Sequence, residues 1–112
     1  MTTYAADKYT IRITQGNDWD FEFQLLTVDS LGVETPVNVT GYTINGVVKN
    51  TRTSAVAQTM TYSIVDAALG KIRVSLSDTQ TSALALGSLY YQIDRTVSDN
   101  TLTLFSGTFL VK

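Results

Sequence analysis

The stretch Trp19-Asp20-Phe21-Glu22-Phe23-Gln24-Leu25 constrains the fold more than any other part of the chain. Apolar side chains alternate there with acidic or amide ones at a period of two. That period is a strand with one dry face and one wet face. A helix would scatter the same rings around its circumference. Trp19, Phe21 and Phe23 together present more apolar surface than a strand can leave in water. The strand therefore demands a second layer packed over it.

Other segments repeat the period. Residues 9–14 set Tyr9, Ile11 and Ile13 against Thr10, Arg12 and Thr14. In QTMTYSIV the phase runs Met60, Tyr62, Ile64. KIRVSL opposes Ile72, Val74 and Leu76 to Lys71, Arg73 and Ser75. SLYYQIDRTV places Leu89, Tyr91 and Ile93 on one face, and TLTLFSGTFLVK closes the chain with a bulge expected at Gly107. Between these lie turn signals: QGND, with Gly16 free to take positive φ, then DSLG as a hairpin tip, DAALG and SDN. TRTSAVA reads as a loop. YTINGVVKN contains Asn45-Gly46, a strong hairpin signal. The arms of such a hairpin would be very short, so a continuous strand with a bulge at Gly46 is expected, with the hairpin as the alternative. Ser77 and Gln80 have the S-x-x-Q spacing of a capping box, and Gly87 stands where a helix would stop. One short helical turn is expected over about residues 78–84, crossing between strands, with Leu84 and Leu86 plugging the end of the core.

These signals predict an all-β fold, an immunoglobulin-like antiparallel β-sandwich of about seven strands with one short helical turn. Residues 1–8 are polar and aperiodic and read as an N-terminal arm. Residues 9–112 read as a single domain. At this length roughly 65% of the unfolded surface is buried, so the core needs no crosslink. The chain has no Cys, which excludes disulfides and thiolate metal sites, and no His, which removes the usual general base. A Ser-His-Asp or Cys-His centre cannot be assembled within it. Net charge is −2 with Lys and Arg scattered, so no nucleic-acid footprint is present. No apolar run approaches the roughly 18 residues of a membrane span, and residues 1–9 lack a signal-peptide core. The chain is expected to stay in the cytosol of the cell that makes it.

Five constellations invite a chemical reading. Asp18, Asp20 and Glu22 share one face and could hold a cation, but lack the glycine-containing loop of a calcium site. A solvated outer face is expected. Trp19, Phe21 and Phe23 could be a stacking platform for a sugar or base, but their period points to core. Tyr90 and Tyr91 must point to opposite faces, so one is partly exposed. It is either an interface residue or a sheet-surface residue. Asn38-Val39-Thr40 matches a glycosylation pattern without a secretory signal. Ser77, Asp78 and Thr79 form a hydroxyl–acid cluster, better explained by helix capping. No cofactor, metal or small-molecule substrate is expected, and the chain does not read as an enzyme.

The order of motifs carries further information. ITQGNDWDFEFQL is followed by PVNVTGYTINGVVKN, then GKIRVSLSDTQTSALALGSLYYQIDRT and LTLFSGTFLVK. Over residues 9–112 this order resembles small virion domains of tailed bacteriophages, similar to the N-terminal Ig-like domain of upper baseplate proteins. Val39 stands where that pattern usually has Leu. The baseplate versions continue into a receptor-holding part beyond the position of Lys112, so a free-standing structural subunit is expected. The resemblance implies a virion structural protein made in the host bacterial cytoplasm. It would assemble through contacts with other virion proteins and with itself as a homo-oligomer, in the tail, baseplate or fibre-attachment region. The alternative is a capsid head decoration or cement protein, and a second is a carbohydrate-binding module. Tyr4, Tyr9 and Tyr90 are the expected interface residues.

Overall fold

A computed structural model describes residues 10–112 in full and Asp7–Lys8 by their backbone. Along the chain run β1 (Asp7–Lys8), β2 (Ile11–Ile13), β3 (Trp19–Gln24), β4 (Leu26–Val28), β5 (Glu34–Pro36) and β6 (Thr43–Lys49). Then follow β7 (Val56–Thr59), β8 (Thr61–Asp66), β9 (Lys71–Leu76), α1 (Asp78–Ser82), β10 (Gly87–Val97) and β11 (Asn100–Val111). The protein is all-β. Among the described residues the strand segments number eleven rather than about seven, because β1, β4 and β5 are short additional segments and the strand read through QTMTYSIV is split into β7 and β8. No described helix is long and apolar enough to cross a membrane.

The larger sheet has the order β1-β11-β10-β6-β7, with β2 also on β11, and the smaller has the order β3-β9-β8. β10 and β11 form a long antiparallel hairpin, while β1 and β2 run parallel to β11. The tip of that hairpin is Ser98-Asp99, both at positive φ (49° and 65°) between paired Val97 and Asn100. Positive φ at both central residues matches the right-handed strand twist.

The two sheets share one core. Ile72, Val74 and Leu76 of β9 and Leu89, Tyr91 and Ile93 of β10 are all buried, as their alternation requires. An aromatic ladder joins β3 to β11. Trp19 meets Phe109 edge-on at 5.4 Å between ring centroids, Phe21 meets Phe105 at 5.6 Å, and Phe23 meets Phe105 at 5.0 Å. Edge-to-face pairs at these spacings add to the burial of the rings themselves.

Four expectations about the backbone change. β6 is continuous through Asn45-Gly46, so the hairpin does not form, but the bulge is not at Gly46 either: Gly46 pairs with Ile93 in an unbroken register. Glycine is needed there because a Cβ would lie 2.7 Å from Met60 Sδ and 3.1 Å from its Cβ. Nor is there a bulge at Gly107, which pairs with Tyr91; the register shifts between Ile93 and Asp94 instead, leaving Leu104 as the extra residue. The loop read over TRTSAVA ends early, since Val56 already pairs with Lys49. The strand read through QTMTYSIV is interrupted at Met60, where the chain leaves the larger sheet (β7 on β6) and enters the smaller (β8 on β9). Met60 is buried at that crossing and donates its N–H to Gly46 O at 2.7 Å.

The helical turn lies where the capping box places it, but ends at Ser82 rather than Leu84. Gln80 N donates to Ser77 Oγ at 3.3 Å and Ser77 N to Gln80 Oε1 at 3.0 Å. It carries the chain from the smaller sheet to the larger. Leu84 is buried, whereas Leu86 is 64% exposed and plugs nothing. DSLG is a hairpin tip as expected, joining β4 to β5, with Asp29 Oδ1 accepting from Leu31 N and Val33 N at 2.8 and 2.9 Å.

Candidate interaction surfaces

The acidic residues do not converge. Asp20 and Glu22 lie on the outer face of β3, where Glu22 meets Arg73 of β9 at 3.1 Å in a half-exposed pair. Asp18, in the turn before β3, accepts the Asp78 N–H at 2.7 Å. A shallow depression of about 360 Å³ lies beside them, lined by Asp18, Asp20, Thr61, Ser75, Ser77 and Gln80 together with Trp19 and Leu76. Several of its polar atoms are already engaged: Asp18 at Asp78, Gln80 at Ser77 and, through Nε2, at Thr59 O (2.9 Å). Among the described residues no group of three or more carboxylates could hold a metal ion.

Two stretches far apart in sequence meet here as a clasp. Thr81, fully buried, donates Oγ1–H to Asn17 O at 2.8 Å and accepts Gly16 N–H at 3.1 Å. Gln15 Nε2 reaches Leu84 O at 2.9 Å. Together with the Asp18–Asp78 bond, these ties bind the QGND turn to the SDTQTSAL segment. Thr81 thus pairs backbone groups of the QGND turn that partial burial would otherwise leave unpaired, while the Ser77 hydroxyl serves as the helix cap. Asn38 is likewise engaged, its Oδ1 accepting from Thr40 N at 3.0 Å and Thr40 Oγ1 at 2.6 Å.

The aromatics of β3 are held inward. Phe23 is buried, and Trp19 and Phe21 are half-buried, lining a depression of about 240 Å³ with Thr10, Ile11 and Arg12. The Trp19 and Phe21 rings lie nearly parallel (9°) at 6.4 Å between centroids, and each also packs edge-on against a core ring, Trp19 on Phe109 and Phe21 on Phe105. Tyr4 and Tyr9 lie outside the described residues. Tyr91 is fully buried and Tyr90 half-buried on the outer face of the larger sheet. The Tyr90 hydroxyl donates to Gln92 Oε1 at 3.1 Å, and Gln92 Nε2 continues to Asp94 Oδ1 at 2.9 Å and Thr103 Oγ1 at 3.3 Å. The period of two thus lays a polar track along β10, flanked by Lys49, Val47 and Asn45 on β6 and by Thr108 and Ser106 on β11.

One feature of the inner face escaped the sequence reading. Arg95 continues the phase of Leu89, Tyr91 and Ile93 and is buried, its Nη1 donating to Asn100 O at 2.8 Å and its guanidinium 5.8 Å from the Tyr42 ring centre. Extending the alternation by one step would have found it. β8 is the edge of the smaller sheet opposite β3, and Val56, Tyr62 and Val65 on the β7–β8 side are among the exposed large apolar residues. No family model matches the chain, and no curated protein matches it.

Proposed function

We propose that the chain is a structural subunit of a tailed-bacteriophage particle, placed in the tail, baseplate or fibre-attachment region. It works through protein–protein contacts, with other virion proteins and with its own copies. The observation that carries the reading is the meeting of the ordered motifs in space. The QGND turn and the SDTQTSAL segment, which stand at the centre of the resemblance, are spent on each other in the clasp. Motifs spent on closing a fold characterise a structural module rather than a catalyst. The sheet orders β3-β9-β8 and β2-β11-β10-β6-β7, with a helical turn between β9 and β10, support reading the all-β fold as an immunoglobulin-like sandwich. Fold alone does not decide function, so the surfaces carry the rest. They offer a broad sheet face around Tyr90 and an open strand edge, both suited to docking.

The experiment is gold-labelled antibody against this chain applied to purified phage particles. Label at the tail or baseplate is expected. Label spread over the head would move the chain to the decoration reading, and particles without label would overturn the proposal. A glycan array separates the carbohydrate-module reading, which requires specific hits.

A further inference from the structure

We propose that β8 is a self-association edge, which pairs antiparallel with β8 of a second copy across a two-fold axis. Two smaller sheets then become one continuous sheet of the order β3-β9-β8-β8-β9-β3. The inference deepens the reading of the chain as an assembling subunit and rests on it only for its biological setting.

The edges of the molecule differ in how they resist pairing. On one flank the smaller sheet ends in β3, whose outward residues include Asp20 and Glu22, and the larger ends in the short strands β1 and β2, with Arg12 exposed. Charges and short strands are the devices that stop a sheet from recruiting another chain. On the other flank, residues 53–65 carry no charge and no proline. β7 is nevertheless closed to a partner, because its register shifts beside Lys49 and Gln80 Nε2 already occupies Thr59 O. β8 has none of these protections over residues 61–64. Its register with β9 is regular from Thr61 to Ile64, and the irregularity comes only at Val65. Every second residue therefore turns its N–H and C=O away from β9. Among the described residues no strand accepts them.

A second copy fits this edge on three counts. An antiparallel strand edge is complementary to itself, since donors and acceptors alternate along it. A two-fold axis brings a segment against its own like, so any charge would face an equal charge; the neutral run avoids that repulsion. The axis must also pass through a residue, because only then do both copies turn their inner faces the same way. Centred on Ser63, it sets Tyr62 opposite Ile64 of the second copy. An aromatic with a β-branched residue is a favourable cross-strand pair. Tyr62 is 38% exposed although its phase points it inward, and the second copy would cover it. Pairing of this kind closes after two copies, since neither β8 edge remains free.

Four residues of strand make a small contact, so the free dimer is weak and gains from repetition in a larger assembly. The test uses the full chain, with light-scattering mass measured from about 1 μM to about 1 mM, a span that covers weak specific association. The expected result is a monomer–dimer equilibrium. Amide exchange at residues 61–64 should slow as concentration rises, while exchange in β3 stays unchanged. Ser63→Lys puts two like charges across the axis and should weaken the dimer at least tenfold, with the monomer's melting temperature kept. Ser30→Lys, which adds the same charge at the exposed β4–β5 tip, should leave it alone. A monomer across the whole range, a dimer indifferent to Ser63→Lys, open-ended aggregates, or protection that maps elsewhere would each overturn the proposal. A monomer that is still found on labelled particles sinks only the β8 pairing; a dimer absent from particles sinks only the virion reading.

Discussion

The two flanks of the molecule are built from the same kinds of strand but finished differently. On the β3 side, aromatic rings from both sheets lock across the core: Trp19 and Phe21 stack at 6.4 Å and meet Phe109 and Phe105 edge-on. The outward positions there are charged. On the β7–β8 side one segment serves both sheets in succession, crossing at Met60, and its outward positions are neutral. The first flank holds the sheets together and discourages company. The second leaves backbone and apolar side chains facing solvent. A subunit needs both, because a particle cannot be assembled from modules whose every edge is blunted, nor from modules that pair at every edge.

The largest expected effect breaks the first flank. Phe109 is fully buried and touches both Trp19 and Tyr91. Phe109→Ala should lower stability by about 3–5 kcal/mol, read as the shift in urea midpoint, because both the ring and its cavity count. A loss under about 1 kcal/mol would mean that the ladder does not hold the sheets together.

A smaller effect tests the second flank. Gly46→Ala pushes a methyl into Met60 at the crossing. The expected loss is about 1–3 kcal/mol, with faster amide exchange in β7 and β8 than in β3. Adding Met60→Ala should make the pair cost less than the sum of the two single changes by about 1 kcal/mol. Strict additivity would show that Gly46 is needed for some reason other than space.

The smallest effect concerns the charges on the guarded edge. Glu22 and Arg73 are both close to half-exposed, so water and salt screen them. Glu22→Gln should change stability by less than about 0.5 kcal/mol. Its value lies elsewhere: combined with Asp20→Asn, it should allow concentration-dependent association through β3 if charge is what keeps that edge closed. Unchanged mass in the double variant would show that geometry alone guards it.

Much of the architecture was legible because it is written at short range. The alternation in β3, β9 and β10 identified the buried residues, and the Ser77–Gln80 spacing located the helical turn to within two residues. Asp29 and Gly32 marked the β4–β5 tip. The interface residues were less legible. Tyr4 and Tyr9 fall outside the described residues, and Tyr90 sits on an outer face already tied into a hydrogen-bonded track. Arg95 carries an inward phase and a charge, two signals that oppose each other at one position, and the structure buries it.

By itself the sequence determined which side of each strand is dry, where turns interrupt the strands, and that no histidine or thiol chemistry is at hand. These follow from single residues and from a period of two, both local properties. Only the tertiary structure decided which sheet each strand joins. It moved the break to Met60, made glycine necessary at Gly46 by the approach of a methionine fourteen positions away, and shifted the bulge from Gly107 to Leu104. It also left β8 as an edge. Partnership between strands is a matter of backbone hydrogen bonds between distant segments, and backbone groups are the same in every residue. The side-chain pattern can say that a strand has a wet face and a dry one, but not who its neighbour is, nor whether it has one.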